Sequence, residues 1–110
     1  MRSVRLSDAA RYDVREIAAY LQQESLGMSV VRRFLVSFEE TCLLLQKHPE
    51  IGGSIVDLRF ELKGMRRIVI RRFQNYLIFY RVSESSIRVI RVLHGAQDVY
   101  AILSMEAQHN

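Results

Sequence analysis

Tyr76-Leu77-Ile78-Phe79-Tyr80-Arg81-Val82 is the stretch on which the fold turns. Six of its seven side chains are aromatic or aliphatic, the composition that suits a pleated, buried surface. Alternation puts Tyr76, Ile78 and Tyr80 on one face and Leu77 and Phe79 on the other. Both faces are therefore apolar, as in a central strand covered on both sides. Two runs of similar character flank it, Arg66-Arg67-Ile68-Val69-Ile70-Arg71 before and Ile87-Arg88-Val89-Ile90-Arg91-Val92-Leu93 after. Gln74-Asn75 and Ser83-Glu84-Ser85-Ser86 are short enough to be hairpin loops, so the three strands are expected to form an antiparallel meander.

The N-terminal half supplies a cover for one face of such a sheet, while the other face, partly apolar and partly arginine, suits a partner-binding surface. After a short strand-like Val4-Arg5-Leu6, Ser7 can cap a helix and Asp8 suits its positive end. Val14, Ile17, Ala18 and Leu21 then recur at helical spacing. Gly27 is the natural stop for this helix. A second apolar stripe runs through Val31, Phe34, Leu35, Phe38, Thr41, Cys42 and Leu45, and Pro49 ends it just after His48. The Phe34/Phe38 pair is expected to pack helix on sheet, and Tyr76 and Tyr80 to be core aromatics with their hydroxyls at the rim. Ile51 to Gly64 reads as a connection. Asp98 to Leu103 can form a short terminal helix, with Glu106 to Asn110 frayed. The order is β-α-α-β-β-β with that optional last helix. This is an α+β fold with an N-terminal helical hairpin packed on a small antiparallel sheet, one domain over residues 1–110.

Cys42, the single cysteine, has no internal disulfide partner, lies on an apolar helix face and reads as a small core residue. His48, His94 and His109 lie far apart, and no Cys/His cluster has zinc spacing, so no metal or cofactor is expected. No apolar N-terminal leader and no membrane-length run is visible, which points to a reduced, cytoplasmic protein.

Charge is more informative. The net charge is +4. Residues 57–94 carry nine basic against three acidic residues, a surplus of six, while residues 1–56 balance at seven each. The surplus is almost all arginine, which suits bidentate contact with phosphate or carboxylate. Its partner is either an acidic molecule (RNA, DNA or an acidic protein segment) or, for a plain solvated face, water alone.

The pattern as a whole resembles the ParE/RelE toxin superfamily, from about Leu6 to Leu103. Leu6-Ser7-Asp8-Ala9-Ala10 and Asp13-Val14-Arg15-Glu16-Ile17-Ala18-Ala19-Tyr20 resemble its opening. Arg33-Phe34 and Leu44-Leu45-Gln46-Lys47-His48-Pro49-Glu50-Ile51-Gly52 resemble its second helix and Pro-x-x-Gly stop. Met65-Arg66-Arg67, Asn75-Tyr76-Leu77-Ile78-Phe79-Tyr80-Arg81 and Arg91-Val92-Leu93-His94-Gly95-Ala96-Gln97-Asp98 resemble ParE-type members most sharply. The resemblance implies the toxin of a type II toxin–antitoxin (plasmid stabilisation) module, neutralised by a ParD-like antitoxin. ParE-type members act on DNA gyrase, and RelE-type members cut messenger RNA on the ribosome. One scaffold serves both. A third reading is an inactive toxin that only binds its antitoxin and helps to repress their operon. A homodimer and a toxin–antitoxin heterotetramer both remain open, as does direct nucleic-acid binding.

Under the ParE reading no catalytic residue is expected, and Arg59, Arg66, Arg67, Arg71, Arg81 and Arg91 are candidates for a basic surface that meets target or antitoxin. Under the nuclease reading His94 would handle protons, Arg66 or Arg67 and Arg91 would hold phosphate, and Tyr100 would stack or donate a proton. RelE-type sites lean on several lysines, whereas only Lys47 and Lys63 occur here, and Glu61 is the one nearby glutamate. Local alternatives stand beside both readings: His94 fixing the turn toward Asp98, and Arg91 pairing with Asp98 or Glu61.

Overall fold

Ser7 is where strand becomes helix. Its hydroxyl accepts the Ala10 N–H at 3.0 Å, an N-cap bond, and donates to the Ile90 carbonyl at 2.7 Å. The computed structural model describes residues 2–24, 27–55 and 62–109. Strand β1 (Ser3–Leu6) leads into helix α1 (Asp8–Glu24) and helix α2 (Ser29–Lys47), and a two-residue strand β2 (Gly53–Ser54) follows. Then come β3 (Arg66–Ile70), β4 (Phe73–Val82), β5 (Ser86–His94) and helix α3 (Val99–His109). All five strands lie in one sheet, ordered β1-β5-β4-β3-β2.

The sheet is covered on both faces, so the second face of β4, expected to be open to a partner, is instead closed by α3 and the segment before β3. Phe34, Leu45 and Ala10 from the hairpin meet Tyr76, Ile78 and Tyr80 of β4 on one side. Phe34 lies edge-on to Phe73 at 5.4 Å and to Tyr76 at 5.7 Å. Leu62, Met65 and Leu103 meet Phe79, Ile90 and Leu93 on the other. The alternation is broken once in β5. Tyr80 pairs with Val89 but Phe79 pairs with Arg91, so Ile90 is an inserted residue. The bulge lets Val89 enter the first core and its neighbour Ile90 the second.

Several expectations need correction. The sheet is mixed, because β1 runs parallel to β5, with Leu6 opposite Val89. Loop lengths fix the meander but say nothing about β1, whose partner follows a long crossover. The β3–β4 turn is Arg71-Arg72, not Gln74-Asn75. Arg72 takes a left-handed φ of 66°, a conformation its residue type does not advertise. Register then slips: Val69 faces Leu77 while Ile70 faces Phe73, so Gln74, Asn75 and Tyr76 bulge away from β3. Leu35 points outward at 43% exposed, and Ser37 occupies the buried stripe instead. Helix α3 runs on to His109, so Glu106 lies inside it rather than in a frayed tail.

The Pro49–Gly52 stop is held by the strand behind it. The buried Tyr80 hydroxyl donates to the Pro49 carbonyl and accepts the Gly52 N–H, both at 2.9 Å. A Cβ at Gly52 would lie 2.5 Å from that hydroxyl oxygen and 2.7 Å from the Arg67 carbonyl, so only glycine fits. Burial pushes the Tyr80 phenol above its ordinary range, against the lowering effect of the Gly52 N–H and of Arg66 nearby.

Candidate functional site

Strand β1 pairs with β5 only as far as Val89, which leaves the β5 edge beyond it in need of partners. Helix α1 provides them. Ser7 N–H, at the N-cap, donates to Val89 O at 2.9 Å, and nearly two turns further on Asp13 accepts the Val92 N–H at 2.9 Å. The same carboxylate takes two bonds from Arg91, Nε to Oδ2 at 2.7 Å and an Nη to Oδ1 at 2.8 Å. This is a fork-to-fork pair. The side chains are only 19% and 8% exposed, and Glu106 of α3 approaches Arg91 at 3.9 Å. The hydrogen bonds to Asp13, outweighing burial, raise the Arg91 pKa further above neutrality. Arg91 thus joins α1, β5 and α3. Its partner is Asp13 and not Asp98, whose carboxylate instead accepts the Ala101 N–H at 3.3 Å at the start of α3. Glu61 and Arg59 lie outside the described residues.

His94 closes the turn after β5. Its Nδ1 accepts the Ala96 N–H at 3.0 Å and its own N–H donates to Gln97 Oε1 at 2.8 Å. The neutral ring therefore carries its proton on Nε2. Its ring stands edge-on to Tyr76 at 5.1 Å. Beside the pair opens a cleft of about 560 Å³, lined by Tyr20, Leu21, Arg72, Phe73, Gln74, Asn75, Tyr76 and His94. The bulge at Gln74–Tyr76 forms one wall of it.

The residues expected to work together are scattered. Arg67 and Arg91 both pair with Phe79, from opposite sides of β4, and share its face of the sheet by register. His94 pairs with Tyr76 and belongs to the opposite face. Tyr100 is on α3, 41% exposed. Within the basic set, Arg66 turns to the other face and donates to the Glu50 and Gly52 carbonyls at 3.1 and 2.6 Å, tying down the loop after α2. Arg81 donates to the Lys63 carbonyl. Arg71 is exposed in the turn, its N–H on Thr41 Oγ1 at 3.3 Å. Arg72 meets Glu40 at 3.4 Å, an exposed pair of little energetic weight. Arg67 is exposed and has no ion pair among the described residues. Cys42 behaves as a core residue: burial first, then Glu39, push its thiol up to about 12.

The residue that sequence reasoning missed is Asp13. The buried residues of α1 are Ala10, Asp13 and Ile17, spaced three and four apart. An acid within a helix's buried stripe needs a cation or N–H groups to face, and that signal was present in the sequence. Tyr20 and Arg72 beside His94 were missed too. They reach it only through the β3–β4 turn and the hairpin's placement.

Among the described residues no three His, Cys, Asp or Glu side chains are grouped to hold a metal ion, and no helix is long and apolar enough to cross a membrane. Residues 4–99 match the family described as the ParE toxin of the type II toxin–antitoxin system parDE. No curated protein matches the chain. A solved structure of the chromosomal ParDE toxin–antitoxin system from P. aeruginosa is similar at a TM-score of 0.67 and 18% identity, over 86% of this chain and 96% of that one. The crystal structure of YafQ from E. coli strain BL21(DE3) is similar at a TM-score of 0.54 and 17% identity, over 87% and 96% respectively. At such identities the two structures speak for the fold alone.

Proposed function

Because the chain belongs to the ParE toxin family of type II toxin–antitoxin systems, we propose that it arrests growth by contact with DNA gyrase in the cytoplasm and that a ParD-like antitoxin neutralises it. The Asp13–Arg91 fork is the observation that carries a contact mechanism over a catalytic one. A phosphate-gripping arginine must be available to the substrate, and Arg91 is committed to the frame. His94 is likewise engaged in its turn through Nδ1. Among the described members of the expected basic set, Arg67 and Arg71 remain at the surface for a partner, with exposed apolar side chains such as Leu43 and Val69 elsewhere on it. Exposed arginines and apolar side chains are the groups that protein partners use. The ParDE structure that the fold resembles contains a toxin–antitoxin system, which supports a ParD-like partner here.

The test is a supercoiling reaction with purified gyrase and the purified full chain. Inhibition that saturates near equimolar ratio, and is reversed by the ParD-like antitoxin, is expected. Undiminished supercoiling at large molar excess would overturn the proposal.

The cleft beside His94 favours a second reading, RelE-like cleavage of messenger RNA on the ribosome. Its 560 Å³ could take a nucleobase between Tyr20 and Tyr76, with Arg72 as the cation and His94 as the proton-transfer group. Substitution His94→Ala separates the two. A nuclease loses cleavage by orders of magnitude, roughly 10²-fold or more. A contact toxin changes only as an interface does.

A further inference from the structure

Four arginines from two distant stretches of the sequence, Arg5 with Arg11 and Arg81 with Arg88, meet at one end of the sheet. Arg5 of β1 is the register partner of Arg88 of β5, and Arg88 is the partner of Arg81 of β4. Partnered residues stand on the same face with Cβ atoms about 5 Å apart. Three arginine stems thus form a row across three adjacent strands. Arg11, in the first turn of α1, joins Arg5 and Arg88 around a cavity of about 460 Å³ that Ser7, Asp8 and Ser86 help to line. Arg5, Arg11 and Arg88 are exposed, and neither Arg5 nor Arg11 has an ion pair among the described residues. The lining sets three cations against the single carboxylate of Asp8.

Like charges directly opposite one another on a sheet destabilise it. A row of them is a standing demand for an anion, and no ion pair among the described residues meets it around Arg5 and Arg11. Guanidinium forks match phosphate oxygens two at a time. An acidic peptide would also need an apolar anchor, because protein interfaces take most of their energy from buried aromatic and aliphatic groups. The cavity offers only the half-buried Val4 and Leu6. A nucleic-acid backbone needs no such anchor, since charge supplies most of its sequence-independent binding. We propose that Arg5, Arg11 and Arg88, at the end of the row that Arg81 continues, form a phosphate-backbone site through which the chain holds a nucleic acid. It is separate from the His94 cleft and does not depend on which target the toxin poisons.

The experiment uses the full chain and a labelled mixed-sequence DNA duplex, with anisotropy measured across a salt series. A single-stranded RNA run in parallel identifies which polymer is the source of the phosphate. Variant R5Q/R11Q/R88Q removes three exposed cations and leaves Arg81, which also holds the Lys63 carbonyl. Each phosphate contact contributes about 0.9 to the log–log salt slope on duplex DNA, and about 0.7 on a single strand, so the variant should lose about 2.7 or about 2.1. Variant R5K/R11K/R88K keeps the charge and should keep the slope, which separates loss of the site from loss of the fold. An unchanged slope in the glutamine variant would overturn the proposal. So would a wild-type chain that binds polyglutamate but neither nucleic acid, because the row would then belong to an acidic protein segment.

Discussion

Arg91 and Arg67 are register partners of the same residue, Phe79, one on each neighbouring strand, yet they meet opposite fates. On the β5 side, α1 crosses an edge that β1 has left open, and Asp13 takes both the guanidinium and a backbone N–H there. On the β3 side no acid among the described residues pairs with Arg67, while one residue earlier Arg66 turns to the other face and holds the loop carbonyls. Two arginines of equal charge thus become a strut and a surface group. Total charge says how many cations exist, and packing says which of them a partner can reach.

The largest effect should come from breaking the strut. Substitution Asp13→Ala leaves Arg91 with only the longer Glu106 contact and takes the acceptor from the Val92 N–H at a largely buried site, which costs about 3 kcal/mol or more. Urea unfolding should report it, and a loss under about 1 kcal/mol would mean that water replaces the carboxylate easily. On the opposite side Gly52→Ala should cost about 2 kcal/mol, because the new Cβ must displace the Tyr80 hydroxyl and the Arg67 carbonyl. A wild-type melting temperature in that variant would show that the loop relaxes freely.

A smaller effect is alkaline. The Tyr80 phenol is held above its ordinary pKa in the folded chain, so folding retains a proton that the unfolded chain gives up near pH 10. Its contribution is complete below that pH and falls as pH rises through the folded value. Unfolding midpoints should therefore drop above pH 10, and by less in Tyr80→Phe. The smallest effect on stability belongs to Arg67→Gln, within about 0.5 kcal/mol. If Arg67 lies in the target interface, gyrase inhibition should weaken by about tenfold, equal to 1.4 kcal/mol. A variant that is both stable and fully inhibitory would exclude Arg67 from the interface.

Local patterns were legible in the sequence and distant pairings were not. The two faces of β4, the Ser7 cap and the stop at Pro49 each depend on neighbours a few residues apart, and they read correctly. The parallel β1–β5 pairing and the Arg91–Asp13 bond, 78 residues apart, depend on where a crossover lands. The bond still left a trace, an acid in the stripe Ala10, Asp13, Ile17, which became meaningful only beside an arginine short of a partner. The Arg71-Arg72 turn left none, because Gln74-Asn75 is the more turn-like pair by composition. The arginine row was equally hidden, since Arg5 and Arg88 become neighbours only through that parallel pairing.

The most direct test of a toxin that works by contact is expression from a tight promoter without antitoxin, with gyrase–DNA cleavage complexes and messenger RNA ends followed in the same culture. We predict growth arrest with stabilised cleavage complexes and intact messages. Arrest with messages cut at ribosomal positions and no cleavage complexes would contradict this and move the chemistry to the cleft beside His94.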